Sequence, residues 1–385
     1  DRAIKLNPKD SKAHSGRGNT WVEKGDFDQA IRDHDMAVQL DPLDPNAHYN
    51  RGLAWLKKRD YDKAIRDFSE TIRLNPRDAM AFNDRSTAWY RKLEFAKSIK
   101  DSTESIRLDP KFPGAYFNRG VTWADMGEHD KAIQDFDTFI RMDPAYADAF
   151  YNRGLAWHRK KDKDLTRALK DYDEAIRLKP TFALALRDRG VLHLHKGDLD
   201  QAMADFHKSI ALNPKDGKAF SNRGNAWVAR GQADSALKDF DEALRLEGKL
   251  EPILTNRAGA WLLKSEFDKA IRDCDEALQL NNKSLDAYVH RALAWKGKND
   301  LDKALSDNNE AIRIDPTCAK AYSNRGVVWA MKKDFTRGIA DFTDAIRLDP
   351  EEPSFYVNRA KAYRDSGNAK EAEADLARLR KLLKK

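Results

Sequence analysis

Residues 46–76 read NAHYNRGLAWLKKRDYDKAIRDFSETIRLNP, and this stretch decides the fold. Over Asn46 to Lys58, Tyr49, Leu53 and Leu56 recur on one side with Gly52 and Trp55 beside them, the spacing of an amphipathic helix. Arg59-Asp60 reads as a turn. From Tyr61 to Leu74, apolar residues return at helical spacing as Ala64, Ile65, Phe68, Ile72 and Leu74. Asn75-Pro76 stops this second helix, because proline cannot continue it and disfavours helical backbone in the residue before. No segment of the chain alternates with a period of two, so no sheet is expected.

The same helix–turn–helix pattern recurs along the 385 residues with a period of 34. Trp21, Trp55, Trp89, Trp123 and Trp157 keep that spacing, and Trp227, Trp261, Trp295 and Trp329 resume it. His193 and Tyr363 fill the tryptophan slot in the two remaining units. Units begin at 11, 45, 79, 113, 147, 183, 217, 251, 285, 319 and 353; the fifth is longer by two residues within 160–167. Asp-Pro or Asn-Pro stops recur at Pro8, Pro42, Pro110, Pro144, Pro214, Pro316 and Pro350. A hairpin of this size cannot bury its apolar stripe alone, so its stability must come from stacking on its neighbours.

Ala-x-x-Asn-Arg-Gly-x-Ala-Trp, then Gly-Asp-Phe/Tyr-Asp-x-Ala-Ile, then Ala-Ile-Arg-Leu-Asp-Pro resembles the tetratricopeptide repeat. The resemblance covers nearly the whole chain. It implies an all-α, right-handed superhelical solenoid of antiparallel helix pairs, with the first helices lining a concave groove. Residues 1–10 read as the end of a helix that begins upstream, 11–368 as the repeats, and 369–385 as a last helix capping the end. In that cap Leu376, Leu379 and Leu383 are expected inward, with Arg378, Lys381 and Lys384 in water. The tryptophans are expected in the core, where the two helices of a unit cross.

One slot of every first helix holds arginine, from Arg17 and Arg51 to Arg359, and one slot of every second helix holds aspartate, from Asp33 and Asp67 to Asp375. The family more often places an apolar residue in the arginine slot. Each arginine lies four residues before the tryptophan slot, on the same stripe, so the guanidinium is partly buried and requires a partner. Bidentate pairing with a carboxylate of the same or an adjacent unit meets that need. The third unit departs from the pattern with Ser86, Ser98, Ser102 and Ser105 at packing positions, their hydroxyls expected to bond back to helix carbonyls.

The residue before each arginine faces away from the core. Asn50, Asn118, Asn152, Asn222, Asn256, Asn324 and Asn358 fill this slot, and Gly16, Asp84, Asp188 and His290 interrupt the row. A side-chain amide donates and accepts, so it can pair with any peptide backbone. The row resembles the asparagine ladder of the O-linked N-acetylglucosamine transferases, which implies a grip on extended polypeptide. Tyr49, Tyr90, Phe117 and Tyr151 stand beside it, either as anchors for a ligand or as packing between units.

The function expected from these residues is non-enzymatic: a protein-interaction scaffold holding a peptide or partner protein of unidentified sequence. The chain shows no His-Glu-x-x-His, Walker loop or Cys-x-x-Cys, and no cofactor or metal is expected. His193 and His195, two apart on a helix, point in different directions. The net charge of +7 is a small difference between 70 basic and 63 acidic groups that alternate along the chain, so nucleic acid is not the expected partner. RNA or another polyanion is the alternative ligand, and a docking arm of a larger enzyme the alternative role. A homodimer through the N-terminal end is a further expectation. No run of eighteen apolar residues spans a membrane. Two cysteines, Cys274 and Cys318, make no disulfide framework, and the cytoplasm is the default setting.

Overall fold

The computed structural model describes residues 2–383, and over that span it contains 23 helices and no strand. After a short opening helix, Arg2–Leu6, first helices begin at Ser11, Pro45, Ala79, Pro113, Ala147, Ala183, Gly217, Glu251, Leu285, Ala319 and Pro353. Each is followed by a second helix, from Phe27–Leu40 in the first repeat to Ala369–Leu382 in the last. Two features make the turn between them. A residue in the left-handed region ends the first helix, such as Gly25 at φ 81° or Arg59 at φ 66°. In five repeats an aspartate then caps the second, as where the Asp60 carboxylate accepts from the Lys63 amide. In the fifth repeat the two extra residues replace that turn, and Lys160 is extended at φ −55°, ψ 148°.

The chain divides into two bodies, one ending at Ala185 and one beginning at Leu186. Within each, successive hairpins stack, second helix against the next first helix, and the first helices of neighbouring repeats also touch. The packing inside a hairpin rests on a size exchange. A Cβ on Gly52 would lie 2.8 Å from the Phe68 ring, and one on Gly224 would lie 2.7 Å from Phe240. Glycine therefore lets a large ring cross the helix pair at close range. Where the first residue is larger, the second is smaller: Ala258 is matched by Cys274, Ala292 by Asn308, and Ser86 by Ser102. Trading volume across the pair keeps the core filled. Alanines at 0 % exposure, among them Ala54, Ala64, Ala226 and Ala236, complete it.

The structure corrects three expectations. The tryptophans do not occupy the crossing; all nine are half-buried at the edge of the core. The glycine–ring pair holds the crossing, and the outer indole face is covered by a cation from the second helix, as with Lys63 at 4.0 Å from Trp55 and Lys303 at 4.2 Å from Trp295. In the third repeat Ser86 and Ser102 bond back along their own helices, to Asn83 O at 2.7 Å and Ser98 O at 2.8 Å. Ser105 instead reaches Ala79 O at 2.7 Å and Ser98 meets the Thr122 hydroxyl at 3.1 Å. Those hydroxyls join helices together. At the C-terminus Leu383 is 70 % exposed, because the last helix ends at Leu382, which is half-buried with Leu376 and Leu379. Arg378 and Lys381 are exposed, and Lys384 lies outside the described residues.

Candidate peptide-binding face

The arginine–aspartate ladder sets the register of the first helices. In all eleven repeats the guanidinium donates from Nε and Nη2 to both oxygens of its own aspartate, at 2.6–2.9 Å. The remaining Nη1 reaches back to the second helix of the previous repeat: Arg51 to Asp35 at 2.9 Å and Arg153 to Asp137 at 2.6 Å in the first body, Arg257 to Asp241 at 2.7 Å and Arg291 to Asp275 at 2.6 Å in the second. For Arg85, Arg119, Arg325 and Arg359 the acceptor is neutral, as with Ser69 for Arg85 at 3.0 Å. One side chain thus ties three helices together. A second set of ion pairs, Lys58 with Asp28 at 2.5 Å and Lys332 with Asp302 at 2.6 Å among them, joins the end of a first helix to the preceding second helix.

With the helices fixed, the asparagine slot faces its counterparts across the first-helix stack. In the first body these amides are engaged. Asn118 donates to Asn83 Oδ1 at 2.8 Å and to the Thr87 hydroxyl at 3.1 Å, Asn50 donates to Ser15 Oγ at 3.1 Å, and Asn152 donates to Asp148 O at 2.7 Å. Asp84, which interrupts the row, accepts from the Tyr49 hydroxyl at 2.6 Å and from Asn83 at 3.1 Å, and burial raises its pKa above the usual carboxylate range. Tyr90 similarly donates to Asp125 at 2.5 Å. Phe117 packs among Phe136, Phe139 and Tyr146 with centroids 5.3–5.9 Å apart. Tyr151 is buried, 4.9 Å from Phe182 and 5.9 Å from Tyr172.

The second body is different. Among the described residues the side-chain amides of Asn222, Asn256 and Asn324 make no hydrogen bond, although each residue is half-buried. Asn358 reaches Ser323 Oγ only at 3.4 Å, and the His290 Nδ1 lies 3.0 Å from Thr255 O. Asn222 lines a cavity of about 300 Å³ with Ser221, Lys218, Leu250 and Ile253. Around the amides the face is aliphatic: Val228, Leu262, Leu293 and Val327 flank it, and Leu263 and Met331 are 53 % and 46 % exposed. Among the described residues of this body, the slots of Tyr49 and Tyr90 hold no aromatic ring.

The repeats match known sequence families over most of their length. Tetratricopeptide repeat models match residues 45–78, and another matches 119–181, 163–217, 187–252, 291–353 and 332–382; a TPR repeat model matches 18–58. The chain belongs to the tetratricopeptide repeat family. No curated protein matches this tetratricopeptide chain. Among solved structures it is similar to the anaphase-promoting complex hetero-tetramer Cut9–Hcn1, with a TM-score of 0.52, 12 % identity, and 97 % and 94 % of the two chains covered. It is also similar to a tetratricopeptide repeat protein of Parabacteroides merdae, at 0.51, 17 % identity, 65 % and 98 %. A third similar structure is YrrB, described as a TPR protein with an unusual peptide-binding site, at 0.41, 26 % identity, 49 % and 96 %. The first two of these likenesses show the tetratricopeptide fold. No helix of the described residues is long and apolar enough to cross a membrane, and no group of three or more His, Cys, Asp or Glu among them is placed to hold a metal ion.

Proposed function

We propose that the protein is a non-enzymatic binding scaffold that takes an extended peptide or an unstructured segment of a partner protein along the first-helix face of its second body. The observation that carries this reading is the set of half-buried amides at Asn222, Asn256 and Asn324 with no hydrogen bond of their own. These amide atoms are open to solvent and not committed to a neighbour, and a peptide backbone offers a partner for both the donor and the acceptor. Neighbouring first helices lie about 10 Å apart and an extended strand advances roughly 3.3 Å per residue, so successive amides meet every third backbone group. Exposed Leu263 and Met331 supply apolar contact with little demand on ligand sequence. Asn50 and Asn118 then serve as struts between repeats, and Tyr49 and Tyr90 as braces of the same wall.

The test is selection of a random 12-residue peptide library on the full chain, followed by anisotropy titration of the tightest peptide. With hydrogen bonds contributing about 1 kcal/mol each, the variant Asn222→Ala/Asn256→Ala/Asn324→Ala should bind roughly a hundredfold more weakly. The pair Lys208→Ala/Lys238→Ala, exposed on second helices of the same body, should bind as the parent does. Loss in the lysine pair with none in the asparagine triple would move the site to the other face.

A further inference from the structure

The groove reading leaves the chemistry of the ligand open, and the charges on the two faces narrow it. On the first body the groove slots are balanced. Lys57, Arg91 and Arg159 stand against Asp84, Asp125 and Asp148, and two of those carboxylates are bonded to tyrosines. On the second body Arg187 is held by Asp188 at 2.8 Å and Asp216 at 3.0 Å, which leaves Lys218, Lys296, Lys320, Lys361 and Arg364 against Asp286 and Asp365. The surplus is positive.

Lys296 is the informative member. It is half-buried in the last turn of Leu285–Gly297, and among the described residues it makes no ion pair or hydrogen bond through its side chain. Two residues further along, the lysines at the ends of first helices do have carboxylates: Lys58, Lys160, Lys332 and, in this same repeat, Lys298 each meet an aspartate of the preceding repeat. The slot Lys296 occupies is apolar in most repeats, as with Leu56 and Leu262, and polar at His158 and Arg364. Where it holds Tyr90, the hydroxyl meets Asp125, 35 residues on. The residue 35 after Lys296 is Met331, a thioether that is 46 % exposed. Burial lowers the Lys296 pKa and no charged neighbour offsets it. A half-buried ammonium of this kind is stabilised when a carboxylate arrives with the ligand.

We infer that the second body selects extended segments rich in aspartate or glutamate with aliphatic residues between them, and that Lys296 is the residue that determines this specificity. The proposal rests on the groove reading. The amides pair with the ligand backbone, the leucines and Met331 take the aliphatic side chains, and Lys296, assisted by Lys320 and Lys218, takes the carboxylates.

The experiment is the composition of the selected library. The 12-residue peptides are displayed with no free C-terminus, so enrichment reports side chains and not chain ends. Asp and Glu should rise about twofold or more over the unselected library, as electrostatic complementarity governs specificity. Selection on Lys296→Met, whose melting curve is recorded alongside, should lose that enrichment, and selection on Lys296→Arg should keep it. In the tightest peptide, replacing the key Glu by Gln should weaken binding about tenfold on the parent and less than about twofold on Lys296→Met, the coupling expected of a direct pair. Neutral or basic selected peptides, or an equal Glu→Gln loss on both proteins, would overturn the inference. So would a labelled oligouridylate that binds more tightly than the acidic peptide at the same salt. Peptides that depend on the asparagine triple but are not acidic would sink the specificity alone, whereas peptides indifferent to that triple would sink the groove reading with it.

Discussion

The two bodies are built on one scaffold and finish it differently. Both carry the bidentate arginine–aspartate pair in every repeat, the same buried alanines and the same edge tryptophans. On the first-helix face the first body spends its polar groups on itself: Tyr49 on Asp84, Tyr90 on Asp125, Asn118 on Asn83. Among the described residues the second body leaves the side-chain amides of Asn222, Asn256 and Asn324 and the half-buried Lys296 without partners. It puts smaller side chains such as Ser221, Thr255 and Val289 in place of the rings. Identical repeats in sequence grammar therefore yield one self-satisfied wall and one receptive wall. The distinction lies in who meets whom 35 residues away.

The largest expected effect concerns what the bodies share. Asp101→Ala in the first body and Asp239→Ala in the second each strand an arginine whose partner is about 5 % exposed, at 4 % and 6 % respectively. Each should destabilise its body by about 3–5 kcal/mol in urea melts, the range for removing one member of a buried pair. A large loss in one body and none in the other would show that the ladder is not a common frame.

The next effect is a pH dependence seated in the first body. His34 sits at 0 % exposure opposite Gly18, in the slot Phe68 fills in the next repeat, and neither ring nitrogen has a hydrogen bond. Burial pushes its pKa from 6.5 down to about 4, with Asp33 and Asp35 pulling upward and Arg51 downward. The folded state therefore holds the neutral ring. Its contribution is fully present above pH 6.5 and is lost as the pH falls toward 4, about 3 kcal/mol in all. His34→Phe should flatten that loss in melts compared at pH 7.5 and about 4.5. An unchanged pH dependence would place the titrating group elsewhere.

The smallest effect is the sharpest on the comparison. Asn118→Ala should cost about 1 kcal/mol of stability, because its two hydrogen bonds join repeats, and should leave peptide affinity unchanged. Asn256→Ala should do the reverse, weakening binding about fivefold with no shift in the melting midpoint. If both behave alike, the two walls are not different in kind.

The 34-residue period, the helix boundaries at Pro42 or Pro76 and the aspartate partners of the arginines were legible because each is a local or fixed-offset pattern in the residues themselves. The glycine–ring exchange was legible in principle too, since Gly52 precedes Phe68 by sixteen residues and Ser86 precedes Ser102 by the same number. The fate of the amides was not. Asn118 finds Asn83 and Asn50 finds Ser15, but Asn256 does not bond to Ser221, the equivalent residue, which lines the cavity instead. Rotamer choice within a half-buried wall depends on the neighbouring repeat, and residue type alone leaves it open. The burial of Tyr151 depended likewise on Phe182, which arrives from the following turn.

Hydrogen–deuterium exchange of the full chain, with and without the tightest selected peptide, tests the central claim most directly. Slowed exchange should concentrate in Gly217–Ala229, Glu251–Leu263, Leu285–Gly297 and Ala319–Met331, with Pro45–Lys58 and Ala79–Arg91 unchanged. Protection of those two helices, or of second helices such as Phe267–Leu280, with none in the four, would contradict it.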